Sequence, residues 1–116
     1  MFCRKASRVL RIPVFSFLYR IAYSDSCMDC FEVPYIYSVP VMHDATYSQL
    51  KGLIDYAVSN KKALVLMFHS ILNKEDVGYN DPWTFEAERF DHICALLASY
   101  RSKGKCKIVT SIELIN

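Results

Sequence analysis

Glycine is scarce in this chain, with three residues among 116, and proline numbers only four. Phosphate-cradling loops draw on several glycines, and neither G-x-G-x-x-G nor G-x-x-x-x-G-K-[ST] occurs. Long apolar runs are also missing. None approaches the ~20 residues of a membrane-spanning helix, so no membrane partner is expected. Neither sign of charge dominates: 14 Lys and Arg stand against 12 Asp and Glu, a net charge of +2. Nucleic-acid binders show a basic stripe, so no nucleic-acid partner is expected. Arg4, Lys5, Arg8 and Arg11 do crowd the start of the chain, where they read as a solvated terminus.

The residues that are present suit a folded domain. Hydrophobic residues make up 53% and charged residues 22%, a mix that fills a core and argues against disorder. The length fits one domain. Five cysteines, Cys3, Cys27, Cys30, Cys94 and Cys106, form an odd set. A disulfide framework is not read from them, which favours a reducing compartment such as the cytoplasm. A secreted route is kept in view by the N-terminus. There, basic residues precede Ile12–Tyr19, and Ala22-Tyr23-Ser24 has the outline of a cleavage site, although Pro13 and Arg20 argue against a signal peptide.

Residues 1–45 are irregular or extended in pattern, and residues 46–116 are strongly periodic. Phe15, Phe17, Tyr19, Ile21 and Tyr23 alternate and predict a strand over Val14–Tyr23. Phe31–Pro40 reads as a loop or an edge strand because its prolines lack ladder donors. Thr46 with Gln49 forms a capping box, and Leu50, Leu53, Ile54 and Ala57 continue a helix toward Asn60. Ala63–Phe68 is an unbroken apolar run, the mark of a parallel strand buried on both faces.

Asn73–Asp81 reads as a loop. Asp81-Pro82 then looks like a helix start, followed by Phe90, Ile93, Cys94, Leu97 and Tyr100 on one face and by Gly104 as a stop. Cys106–Val109 is predicted as a short strand. Thr110 and Glu113 make a second capping box, opening a last helix through Ile112, Leu114 and Ile115. Helices alternating with strands imply an α/β fold with a parallel sheet, and the crossover from 63–68 to 106–109 should be right-handed.

Sites in such folds gather at the carboxyl ends of strands. His69 falls there, and an imidazole can exchange a proton near neutral pH. The plain alternative is a histidine satisfied by a backbone carbonyl in a strand-end turn. Cys27-Met28-Asp29-Cys30 is a lone C-x-x-C without the second pair a zinc site needs. His43-Asp44 is a possible metal-binding pair, though Asp44 and Thr46 more simply start the following helix. His92 adjoins the apolar face of its helix. Trp83 is positioned either to pack at a helix start or to stack on a sugar.

Leu64–Leu72, a hydrophobic strand ending in His69, resembles the last motif of the polysaccharide deacetylases. Thr46–Ala57 resembles the helix before that strand in the family. The helix containing Phe90 and Leu97, then Gly104, then Ile108–Leu114 resembles the family's segment after that strand. The likeness spans about residues 41–116. It implies a partial (β/α) barrel, corresponding to the C-terminal part of that domain. By position it implies His69 as catalytic acid and Met67 lining an acetyl-methyl pocket, where core packing is the alternative for Met67.

The implied substrate is an acetylated polysaccharide, and the implied parent reaction is removal of acetyl groups from amino sugars. The family's cofactor is a divalent metal, with zinc as the expected ion. The family motifs T-F-D-D-G, H-x-x-x-H and R-P-P-x-G do not occur here, and His43, His69 and His92 lie too far apart to share a helical turn. No metal is therefore expected in this chain, nor deacetylase activity from it alone. Two rival readings are a non-catalytic carbohydrate- or protein-binding remnant and a small interaction module built on the aromatic stretch Phe31–Tyr37. A partial barrel would also leave strand edges that favour self-association.

Overall fold

A computed structural model describes residues 3–6 and 35–110 of the chain. The architecture is a small α/β arrangement in which every strand pair is parallel. In order come β1 (Cys3–Ala6), β2 (Tyr35–Pro40), α1 (Tyr47–Ser59), β3 (Leu66–Met67), β4 (Ser70–Leu72), β5 (Thr84–Glu86) and α2 (Ala87–Ser102). One sheet has the order β1-β2-β3, and β4 pairs with β5 separately. The predicted strand Val14–Tyr23, the pair Cys27 and Cys30, and most of the C-terminal helix lie outside the described residues.

β2 corrects the edge-strand expectation: it is the middle strand of the three. The backbone amides of Val39 and Val41 donate to the carbonyls of Val65 and Met67 at 2.8 and 2.9 Å. The intervening Pro40 nitrogen therefore faces the β1 side, where pairing has already ended at Ala6 opposite Ser38. No ladder donor is lost, so the proline is compatible with a central strand.

α1 follows its prediction closely. The Thr46 hydroxyl accepts from the Gln49 amide at 3.2 Å, and the Gln49 side chain accepts from the Thr46 amide at 2.9 Å. The two bonds satisfy orphan donors at the helix start. Leu50, Leu53, Ile54 and Ala57 are buried on one face. At the far end, the Lys62 amide reaches the Ala57 carbonyl at 2.8 Å and the Lys61 amide reaches Val58 at 3.3 Å. This is a Schellman ending, with Lys61 in the left-handed region at φ 53°. α2 closes in the same way: Lys105 bonds Tyr100 and Gly104 bonds Arg101, with Gly104 at φ 71°.

Three further expectations are corrected. First, Ala63–Phe68 is half-buried rather than enclosed, and only Leu66–Met67 is strand. Among the described residues β3 pairs with β2 alone, as the last strand of the three. Second, Asp81-Pro82 begins a turn instead of a helix. The Asp81 carboxylate accepts from the Trp83 amide at 2.8 Å, and its carbonyl accepts from the Thr84 amide at 3.0 Å. Such local bonds compete with helix formation. Thr84–Glu86 then runs extended, with Ser70, Ile71 and Leu72 paired to Thr84, Phe85 and Glu86, and α2 starts only at Ala87. Third, Cys106–Val109 forms no strand. Ile108 and Val109 are 56% and 43% exposed. A strand needs a ladder partner as well as β-branched residues, and no described residue offers one.

The core gathers Val39 and Val41 from the β2 segment, Leu50, Leu53, Ile54 and Ala57 from α1, Phe85 from β5 and Ile93 from α2. Phe68 packs against Phe85 and Phe90 at centroid distances of 5.4 and 5.0 Å. Of the apolar face predicted for α2, Ile93 is buried, Phe90, Leu97 and Tyr100 lean on the core, and Cys94 is exposed. The helices are also joined at their far ends. The Tyr100 hydroxyl donates to Asp55 at 2.5 Å, and Lys51 pairs with the same carboxylate at 2.7 Å. Partial burial pushes the Asp55 pKa up, but the bonds from Lys51 and Tyr100 outweigh it and hold the carboxyl below its ordinary value. The same bond raises the pKa of the Tyr100 phenol.

Candidate site at the carboxyl edge of the sheet

Parallel strands β2 and β3 end on the same side, and each is followed closely by a histidine. His43 lies three residues beyond β2, and His69 two beyond β3. Both rings contact the turn-rich segment that enters β5.

His69 is exposed. Its ring meets the Trp83 indole edge-on, with centroids 4.5 Å apart and planes at 65°. Trp83 is half-buried and is held by its amide bond to the Asp81 side chain. The indole is thus partly exposed beside the imidazole. Behind it, the Ser70 and Thr84 hydroxyls lie 2.7 Å apart, and the Thr84 hydroxyl also donates to the Gly78 carbonyl at 3.2 Å. With its own proton committed, Thr84 accepts from Ser70.

His43 is fixed more tightly. Its Nδ1 lies 2.9 Å from the Thr84 carbonyl, and its amide donates to the Pro82 carbonyl at 2.9 Å. The Tyr79 ring stands edge-on at 4.9 Å. A carbonyl only accepts, so Nδ1 carries the proton of that contact. Arg89 of α2 grips the same loop. Its guanidinium donates to the His43 carbonyl at 2.9 Å, to the Ala45 carbonyl, and to Glu86 at 3.3 Å. It also stacks 4.8 Å over the Phe85 ring. Glu86 completes the bracket by pairing with Lys74 at 3.3 Å. Burial raises the Glu86 pKa, but Lys74 foremost, with Arg89, outweighs it and holds the carboxyl below its usual value.

No family model matches the chain, and no curated protein or solved structure matches it.

The sequence-predicted residues are therefore placed by geometry alone. His69 and Trp83 come together. Met67 is half-buried in β3, two residues before His69. His92 is elsewhere, exposed on α2 and edge-on to Tyr47 at 6.4 Å, where Tyr47, His92, Ala95 and Leu96 line a groove of about 390 Å³. Asp44 is exposed, and Thr46 rather than Asp44 caps α1. Among the described residues no three His, Cys, Asp or Glu side chains converge on one point. Nδ1 of His43 is engaged by a carbonyl. The edge offers an imidazole beside an indole, and a second imidazole beside a phenol, all on one rim.

Sequence reasoning misses Arg89 altogether and reaches His43 only as a possible metal ligand. The bond between Arg89 and the His43 carbonyl spans 46 positions, a separation with no local signature. The strand before His43 is the available signal, hidden by its prolines.

Proposed function

We propose that the carboxyl edge of this sheet binds acetylated carbohydrate, with Trp83 as the stacking surface and His69 as the proton donor. The carrying observation is the His69–Trp83 pair at the end of a parallel strand. Aromatic faces bind the apolar faces of sugar rings, and an adjacent imidazole can serve hydroxyl, amide or leaving amine. The resemblance to polysaccharide deacetylases supplies the substrate class and the partial-barrel interpretation of the strand order. In that reading Met67 lies near the acetyl methyl. Metal-activated hydrolysis calls for ligands that the described residues do not bring together, so the proposal is sugar binding with a poised acid, without turnover by this chain alone. Calorimetric titration with chitin oligomers tests it. Saturable binding that weakens in Trp83→Ala and His69→Ala supports the reading, and absence of heat with the wild-type chain rejects it.

A second reading, self-association, is favoured by the exposure of Ile108 and Val109 and the half-buried β3 run. Sedimentation across a concentration series decides it: a single monomer at all concentrations rules it out.

A further inference from the structure

We infer that His43 is a second ligand-facing residue on this edge, acting as a hydrogen-bond acceptor through Nε2, with Arg89 as its positioning residue. This role rests on the proposed sugar-binding edge and deepens it, and resemblance does not supply it. The tautomer decides the role first. The Nδ1 contact with the Thr84 carbonyl, 2.9 Å, requires the proton on Nδ1. In the neutral ring Nε2 is then a bare acceptor, and it makes no hydrogen bond to the described residues. Nor is it a buried orphan, since among the described residues only the Ser38 hydroxyl has that status. The nitrogen is thus left for water or a ligand.

Restraint of the side chain points the same way. The His43 amide is tied to Pro82, its carbonyl to Arg89, its Nδ1 to Thr84, and its ring to Tyr79. Arg89 also holds Ala45, so the turn between β2 and α1 is fixed at two carbonyls. A side chain fixed from both backbone ends and one ring nitrogen presents its remaining nitrogen in a set direction, the arrangement preorganised sites use. Thr84, which orients His43, is bonded through its hydroxyl to Ser70, the residue after His69. The segments that carry the two imidazoles are therefore tied together at Thr84, through its carbonyl on one side and its hydroxyl on the other; in the proposed site His43 serves as acceptor and His69 as donor. A ligand suited to both carries donor and acceptor groups, as an N-acetylated sugar does with its amide N–H, carbonyl and hydroxyls.

Nitrogen-15 NMR of the imidazoles in the full chain tests this, with chitotetraose as the probe. Neutral His43 is expected as the Nδ1–H tautomer in about tenfold excess, the ratio that one hydrogen bond supports. Its Nε2 signal should shift on titration while that of His92 stays in place. Arg89→Met should reduce the tautomer excess and weaken the Nε2 response, and Arg89→Lys should restore part of it. An Nε2–H tautomer overturns the assignment. So does an unmoved Nε2 while Trp83 emission responds to the sugar, an outcome that leaves the edge reading standing. If neither Trp83 nor Nε2 responds, the edge reading fails and the ligand role of His43 fails with it.

Discussion

Replacing Lys61 by glycine should stabilise the protein, and replacing Gly104 by lysine should destabilise it by a similar amount. The two residues occupy equivalent places. Each follows the cap of a helix that ends in a Schellman motif, and each has a positive φ, 53° for Lys61 and 71° for Gly104. A residue with a Cβ costs about 1–2 kcal/mol in the left-handed region. Glycine offsets part of that gain because its unfolded chain is freer, by roughly 0.5–1 kcal/mol. The net expectation for Lys61→Gly is a gain of about 1 kcal/mol, or a rise in Tm of about 4 °C for a domain of this size. Lys61 is exposed, so little packing is lost with its side chain. For Gly104→Lys a Cβ would meet nothing within 4 Å, leaving backbone strain as the only cost. Urea unfolding of the wild type and both variants, with m-values compared, measures this directly. A Lys61→Gly midpoint at or below wild type, with unchanged m, would refute the backbone argument.

Arg89→Met should cost about 2–3 kcal/mol in urea unfolding, since it strips the donors from two loop carbonyls and one of two partners from Glu86. Phe85→Ala, at a fully buried position, should cost about 3–5 kcal/mol and register in the same assay as the larger of the two losses. Asp55→Asn should cost about 0.5–1 kcal/mol near neutral pH, after allowance for solvent screening. The folded-state pKa of Asp55 lies below its ordinary value, so its contribution is present above that value and is lost as pH falls through the depressed one. The gap between wild type and Asp55→Asn should accordingly close on acidification, and a gap that persists at low pH would show that charge is not its source.

Legibility in the sequence follows the range of the forces involved. α1 is readable because its signals are local: the Thr46–Gln49 box, the 50-53-54-57 stripe and the cap at Asn60 all act within a turn or two. The place of His69 is readable from the apolar run that precedes it. β2 is hidden because a proline cannot be judged without knowing which neighbour each amide faces. β5 is invisible because three residues have no periodicity, and its extension comes from pairing with β4 and the burial of Phe85. Cys106–Val109 has strand composition without a ladder partner among the described residues. In the site, proximity along the chain hints at Trp83 beside His69, whereas the Arg89 bracket and the His43 tautomer depend on contacts across more than 40 positions.

The chain contains one tryptophan, Trp83, so its emission reports on the proposed sugar-facing surface without interference. Titrating chitotetraose into the wild-type protein should give a saturable change in that emission, weakened about 3–10-fold in affinity by His69→Ala if the imidazole contributes about one hydrogen bond. Emission that stays constant up to millimolar oligomer, in a protein shown by urea unfolding to be folded, would contradict the account.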